Sequence, residues 1–456
     1  MGADLNSAPS YWLETCGEDL TSGPALPGYT EADVAIVGAG YTGLWTAFHL
    51  LEHDPALRVV LVERKIAGWG ASGRNGGWCS TLFATSWGRV AREHGADAAL
   101  RLRRTLERTV DDIGRWCVDH GVDADFAKGG TLTLARGAAQ VAAVREHVAQ
   151  DRGYGGDAVW LEPAAALARV AAGGVDGAAY TGQCAAIHPA RLVRGLARVV
   201  KSQGGRLYEN TAALRIEPRQ VVTDHGTVRA DVIVRATEGY TPDVAGRHRD
   251  LAPVWSLVIA TEPLGDDVWD SIGWRERETL NDGRHLIVYA QRTADGRVVF
   301  GGRGAPYRWG SRTGGEVGHG STFARLEQEL RAMLPQARGA AITHRWGGVL
   351  GVPRDWRPGV VYDRGSGLAW AGGYVGDGVT CAALAGRTLA ALILGRDTDD
   401  IRLPWVGHRW RRWEPEPLRW VGVRGMTALM ASADRAEART GRRSRRAAFA
   451  QRFVGH

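Results

Sequence analysis

The sequence predicts an α/β fold built in two parts, and three observations carry that prediction. Residues 33–63 run strand, glycine turn, helix, strand. Residues 254–304 hold apolar strands joined by tight turns, and residues 358–394 return to a strand–glycine–helix texture. A strand–helix–strand unit of about 30 residues needs a buried parallel sheet. Its resumption near the end of the chain implies a doubly wound, Rossmann-like domain that is discontinuous, accompanied by an antiparallel-sheet α+β domain.

Taken in order, residues 1–32 are mixed polar sequence with Pro24 and Pro27, expected as an arm on the surface. Residues 33–38 (DVAIVG) form a short apolar strand, Tyr41–His53 has helical periodicity, and residues 58–63 (RVVLVE) form a second apolar strand. A glycine-rich loop occupies 68–77. Helices follow over 86–120, with Leu100, Leu102, Leu106, Val110 and Ile113 as their apolar face. After Gly129 the texture changes to a strand at 131–135, a helix at 138–150 and a Gly/Ala-rich stretch up to Ile187. Pro189 opens a helix over 189–203, where its missing N–H costs nothing. Short strands follow at 206–210, 213–217, 221–224 and 231–235. The runs VWSLVIATEPL, HLIVYAQRT and RVVFGGRG read as antiparallel, the last two joined by an Asp-Gly turn in TADGR (293–297). A helix at 321–334 and a strand at 341–349 complete this section. The expected division is an arm (1–32), a nucleotide-binding domain (33–128, 188–245 and 350–400), a second domain (129–187 and 246–349) and an Arg-rich extension (401–456).

Composition removes several classes. A chain of 456 residues has room for two or three compact units, and 44% hydrophobic with 23% charged residues excludes disorder, collagen and coiled coil. The net charge of +7 belongs to the tail: residues 401–456 carry 13 Arg, no Lys and four acids. The body is close to neutral, so nucleic acid is not an expected partner. The six Arg within 435–446 read as a solvated helix or frayed end. Five cysteines without a CxxC make neither a disulfide framework nor a zinc site. No Lys or Arg precedes Arg58, so a leader would lack its positive region. The uncharged run at 34–48 is too short and too glycine-broken to span a membrane. These features imply a soluble, cytoplasmic protein. The 13 His are read as offering no HExxH or paired metal spacing, and no GxSxG or Cys/His pair sits at a suitable turn.

Gly38-Ala39-Gly40-Tyr41-Thr42-Gly43 is a GxGxxG between an apolar strand and a helix. The first glycine turns off the strand, the second admits a pyrophosphate, and the third lets helix pack on sheet. Glu63 ends the next strand 20 residues after Gly43, where a carboxylate can accept both adenosine ribose hydroxyls. A second donor-rich loop, Gly68-Trp69-Gly70-Ala71-Ser72-Gly73-Arg74-Asn75-Gly76-Gly77, follows closely. NAD has no need of it. FAD does, because its pyrophosphate and ribityl chain run onward, with Ser72 and Arg74 as contacts and Arg64, Gly73, Asn75, Gly76 and Gly77 beside them.

DVAIVGAGYTGLWTAFHL, the Glu63 spacing and GWGASGRNGG resemble the D-amino-acid oxidase, glycine oxidase and sarcosine oxidase superfamily, and within it the γ-glutamylputrescine oxidase-like branch. The resemblance continues through RATEGYTP (235–242), DGRVVFGGR (295–303), RWGGVLGVPRDWRPGV (345–360) and GGYVGDGVTCAALAGRTLAALILG (372–395), reaching the tail. It implies an FAD-binding domain, a substrate domain over the flavin, and oxidation of a C–N bond in a small amine or amino acid. Ala236 and Thr237 join the cofactor set on this basis. Asp377-Gly378-Val379-Thr380 begins a helix whose positive end can face the flavin pyrimidine ring, and Gly372, Gly373, Gly376 and Gly378 permit the approach.

Three positions depart from the superfamily, which usually carries His at Asp377, Asn at Glu238 and a small residue at Arg235. A carboxylate beside reduced flavin is unfavourable, so Asp377 either faces substrate or pairs with an Arg. Asp377, Trp346 and Tyr374 are the catalytic candidates. Trp255, Tyr289 and Arg303 are the substrate-binding ones, with Arg292 a second possible carboxylate clamp. No cysteine is expected to reach the flavin ring, so FAD should be noncovalent. Lys65, Lys128 and Lys201 lie off the strands expected over the flavin, leaving O₂ activation to other groups. O₂ is the expected acceptor; another electron carrier, or an RNA-modifying role using the basic tail, are the alternatives.

Overall fold

A computed structural model describes residues 8–302, 307–314 and 320–447. Thr30–Val37 is the central strand of the first sheet, parallel to Val59–Val62 on one side and to Thr227–Arg235 on the other. Arg206–Tyr208 and Leu368–Gly372 extend the parallel run outward on each side. The strands are apolar throughout because both faces are covered: Val59, Val60 and Leu61 have no exposed surface. On one face, Leu44 and Phe48 of helix Tyr41–His53 pack with Leu384 and Leu389 of helix Gly378–Leu394 and with Leu192 and Leu196 of helix Pro189–Ser202. On the other, Val60, Val62 and Ile233 meet Leu26 and Val221. Strand order reverses at Thr30–Val37, which opens a crevice at its carboxyl end.

The second sheet has eight strands, running from Ile342–Val352 through Ala252–Thr261, Val298–Gly302, Val288–Arg292, Thr279–Asp282, Thr131–Leu134 and Ala178–Thr181 to Val159–Leu161. All pairs are antiparallel except Thr131–Leu134 with Thr279–Asp282. Alternation divides the side chains of Ala252–Thr261 between the two faces. Trp255, Leu257 and Ile259 enter a core with Trp274, Phe300 and Met333, while Val258 and Ala260 face the other way with Val299 and Trp346. The expected hairpin forms at 293–297, where Thr293 N–H donates to Arg297 O at 2.9 Å.

Several expectations need correction. The arm is not laid on the surface: Tyr11, Trp12 and Leu13 are 2%, 1% and 1% exposed. They occupy a helical turn, Tyr11–Glu14, capped by Ser10, and cover the Val258–Trp346 face of the second sheet. Average polarity hid three consecutive large side chains. The helices expected over 86–120 are present, as Trp87–His94 and Ala96–Asp119, divided at Gly95 with φ +89°. The tail contains a 23-residue helix, Leu418–Thr440. Its end is docked, because Asp434 accepts the His285 and Leu286 N–H groups and Arg443 pairs with Glu146. Among the described residues, no helix is long and apolar enough to cross a membrane.

Candidate active site

The crevice at the carboxyl ends of the parallel strands is an open cleft of about 250 Å³. Its lining comes from the turn after each central strand: Gly38 and Gly40, then Glu63, Arg64 and Lys65, then Ala236, Thr237 and Glu238. Gly38 adopts φ +103°, and a Cβ there would stand 2.6 Å from Ala236 O, so only glycine fits this turn. A Cβ on Gly40 would lie 2.9 Å from Ser72 Oγ. Helix Tyr41–His53 has no side-chain bond from its own capping residue, Gly40. Instead Ser72 Oγ accepts the Tyr41 N–H at 2.9 Å. A helix N-terminus opening on a cleft, with a hydroxyl beside it, suits a pyrophosphate. Gly43 packs against the strand, its Cβ position 3.2 Å from Ile36 Cγ2.

Glu63 accepts from Ala39 N at 2.9 Å and Lys65 N at 3.0 Å, and burial raises its pKa. Those bonds fix the carboxylate while leaving lone pairs toward the cleft, as a ribose diol requires. Arg64 pairs with Asp243 at 2.8 Å and lies over the Tyr240 ring, so it closes a wall of the cleft. Tyr374, Gly376, Gly378 and Val379 also line the cleft, and Tyr374 Oη meets Thr42 Oγ1 at 3.0 Å. Glu63 and the second helix N-terminus, Gly378, therefore line the same cleft. A Rossmann crevice lined by a backbone-held carboxylate and two helix N-termini offers the groups that an FAD would need.

The glycine-rich loop divides between two tasks. Ser72 and Asn75 line the cleft; Gly73, Arg74, Gly76 and Gly77 do not. Arg74 is 1% exposed and donates to Trp69 O and Ala8 O, both at 2.7 Å. Trp346 Nε1 donates to Arg74 O at 2.9 Å, so both side chains brace the loop. A Cβ on Gly76 would strike the Tyr289 ring at 2.6 Å, and Gln291 Nε2 donates to Gly76 O at 2.9 Å. A Cβ on Gly77 would collide with Gln291, so both glycines bring the loop onto the second sheet.

The substrate candidates do not converge. Trp255 is buried in the second core, on the face away from Trp346. Tyr289 is half-buried, with its hydroxyl 2.9 Å from Ser256 Oγ and its ring edge-on to Trp78. Arg292 donates to Trp274 O at 2.7 Å and lies over Trp269. Arg303 lies outside the described residues. Gly373 N donates to Glu238 and does not line the cleft. Thr380 is buried against Cys79 Sγ at 3.4 Å. Asp377 sits at the N-cap position of helix Gly378–Leu394 without a side-chain cap bond, does not line the cleft, and its charge helps raise the pKa of Cys184 and Cys381.

Sequence reading noticed Glu238 only as a departure. Its carboxylate accepts from Gly373 N at 3.1 Å and Tyr374 N at 3.2 Å, joining the cleft wall to the loop before helix Gly378–Leu394. Burial, the largest influence, raises its pKa to about 7 against the backbone donors and Arg235. Arg235 in turn is held by Asp250 at 2.9 Å between Trp370 and Trp410. Nothing in the local sequence around Glu238 marks these partners, which lie more than 130 positions away.

Fold and cleft together define a dinucleotide-binding flavoprotein. Residues 33–392 match the model of the FAD dependent oxidoreductase (DAO) family, and the chain belongs to that family. It is an FAD-dependent oxidoreductase. It is 32% identical over 373 residues to the gamma-glutamylputrescine oxidoreductase of Escherichia coli (strain K12), covering 80% of this chain and 84% of that one. It is 30% identical over 402 residues to the "probable oxidoreductase OrdL" of Rhizobium meliloti (strain 1021), covering 86% and 90%. Glycine oxidase from Geobacillus kaustophilus has the same fold, with a TM-score of 0.69 at 21% identity over 81% of this chain and 96% of that one.

Proposed function

We propose that the chain oxidises a C–N bond in a small amine or amino acid and passes the electrons to O₂. The observation that carries this reading is the cleft lined by Glu63 and the Gly378 helix end, in a chain similar over most of its length to a gamma-glutamylputrescine oxidoreductase. When bound, FAD supplies the two-electron acceptor for the substrate's C–H bond, and the imine product then hydrolyses in water. Glu63 holds the ribose, and the N-terminus at Tyr41 with Ser72 neutralises the pyrophosphate. The helix end at Gly378 stabilises negative charge at the pyrimidine edge. Trp346 is a positioning residue, acting through the Arg74 carbonyl. Tyr374, held by Thr42 and lining the cleft, is the remaining catalytic candidate, whereas Asp377 does not line the cleft.

FAD is held without a covalent bond in this reading. Burial raises the pKa of Cys79, Cys184 and Cys381, which keeps these thiols protonated and unreactive. Acid precipitation should leave the yellow colour in the supernatant, and colour in the pellet would overturn the assignment. The catalytic test is peroxide release in air across amines, amino acids and aminophosphonates, beside dye reduction without oxygen. Turnover in both supports an oxidase. Dye reduction alone would make the enzyme a dehydrogenase, a reading favoured by one observation: Lys128 is paired with Asp111, and of the three lysines only Lys65 lines the cleft, beside Glu63.

A further inference from the structure

Helix Tyr41–His53 begins at the cleft and ends roughly 18 Å away, where three potential ligands share one face. His49 and His53 are four residues apart, with ring centroids 6.4 Å apart and planes within 27°. Glu52 lies between them in sequence, its Oε2 3.0 Å from His49 Nδ1. The donor atoms of all three lie within 4.8 Å of one another. The order is H-x-x-E-H, the reverse of the HExxH order sought in the sequence, so the paired spacing was there to be found.

The geometry is close to what a tetrahedral ion needs. Bonds of about 2.0–2.2 Å to nitrogen and oxygen place neighbouring donors roughly 3.3 Å apart. Ion binding therefore requires side-chain rotation that draws together donors now separated by up to 4.8 Å. The site sits at the C-terminal turn of its helix, where the last carbonyls carry negative partial charge and favour a cation.

A further histidine approaches from a different helix, outside the group whose donor atoms lie within 4.8 Å of one another, so its side chain must move to complete the set. His120 caps Ala96–Asp119, its ring 4.7 Å from Trp116 and 5.4 Å from Phe48. Its Nδ1 lies 3.0 Å from the Trp116 carbonyl, which can only accept. The proton is therefore on Nδ1 and the lone pair on Nε2, the arrangement a metal-bound histidine usually has. His120 also acts electrostatically on Glu52. The neighbouring cation, Arg387, is committed to Asp112 and Asp400.

We propose that His49, Glu52, His53 and His120 form a binding site for a divalent transition-metal ion of the zinc class, separate from the flavin cleft. With four protein donors it is a structural clamp joining the ends of two helices, not a reaction centre.

The test is calorimetric titration of tag-free, FAD-loaded protein with Zn²⁺, together with thermal unfolding. One ion per chain should bind in the micromolar range and raise the melting temperature by mass action. His53→Gln alters an exposed side chain and should weaken binding by roughly tenfold or more without changing FAD content. Glu52→Gln is the second variant, and His120→Gln should also weaken binding. The proposal is overturned if Zn²⁺ does not bind, or if His53→Gln and Glu52→Gln bind as the unaltered chain does, which would put the ion elsewhere. Unchanged binding by His120→Gln would overturn the four-donor clamp.

Discussion

Gly40 and Glu238 are the residues at which the cofactor reading is most exposed to test. A valine at Gly40 adds two methyl groups to a Cβ position already 2.9 Å from Ser72 Oγ, filling the pyrophosphate approach. Gly40→Val should lose FAD affinity by roughly 100-fold or more, about 3 kcal/mol. Glu63→Ala should weaken it less. Flavin-fluorescence titration of the apoprotein measures both, and full affinity in either would put the cofactor elsewhere. Glu238 predicts a pH effect with a definite sign. Its pKa rises from 4.5 in the unfolded chain to about 7 in the fold. Below 4.5 both states hold the proton, whereas between 4.5 and 7 only the folded state does. Stability from this group therefore falls as pH rises through that window and levels off above it, by at most about 3 kcal/mol, less where the open cleft screens the charge. Arg235, Asp250 and Tyr374 face the same region and remain in place. Glu238→Gln should flatten the melting-temperature profile between pH 5 and pH 8 (about the ends of that window); an unchanged slope would assign it to another group.

Among the elements, the arm departs most from its sequence reading. Trp12 donates to Asn75 O at 2.8 Å and Ser10 to Gly73 O at 2.5 Å, so the arm's helical turn holds the glycine-rich loop from behind. Trp12→Ala removes a side chain that is 1% exposed and should cost about 3–5 kcal/mol, read as a lower urea midpoint. Because Asn75 lines the cleft, FAD should also bind more weakly. An unaltered midpoint and affinity would show that the arm only rests on the sheet. The strands were easier to read than the arm. Residues 33–38 and 58–63 are apolar runs bounded by turn signals, and burial on both faces leaves no alternation to misread. Short strands such as Cys184–Ala186 carry too few residues for a period, and only pairing with Trp78–Ser80 defines them.

For the whole molecule, charge distribution bears on oxygen reactivity. Lys65 is exposed beside Glu63 in the cleft, Lys128 pairs with Asp111, and Lys201 is exposed at the end of its helix. With Lys128 paired, Lys201 outside the cleft lining and Lys65 beside Glu63, Lys→Met changes at the three positions should leave flavin reoxidation by O₂ within about tenfold, under ~1.4 kcal/mol of barrier. Stopped-flow mixing of the pre-reduced enzyme with oxygen measures it, and a far larger loss at one position would make that lysine the oxygen-activating group. The basic tail, a candidate for solvent or RNA from its composition, is partly committed to the protein through Asp434, Glu437 and Arg443.

The sequence by itself determined the parallel core, the cofactor class and the family, because these rest on local patterns: an apolar strand, a glycine turn and a carboxylate at fixed spacing. Tertiary structure alone decided which side chains of the second loop face the cleft and which brace the sheet. It also decided that Trp255 and Trp346 lie on opposite faces, that the arm is buried, and that Glu238 meets a loop more than 130 residues away. These outcomes depend on contacts between segments distant in the chain, and a side chain's type constrains what it can bond without specifying which partner the fold brings to it.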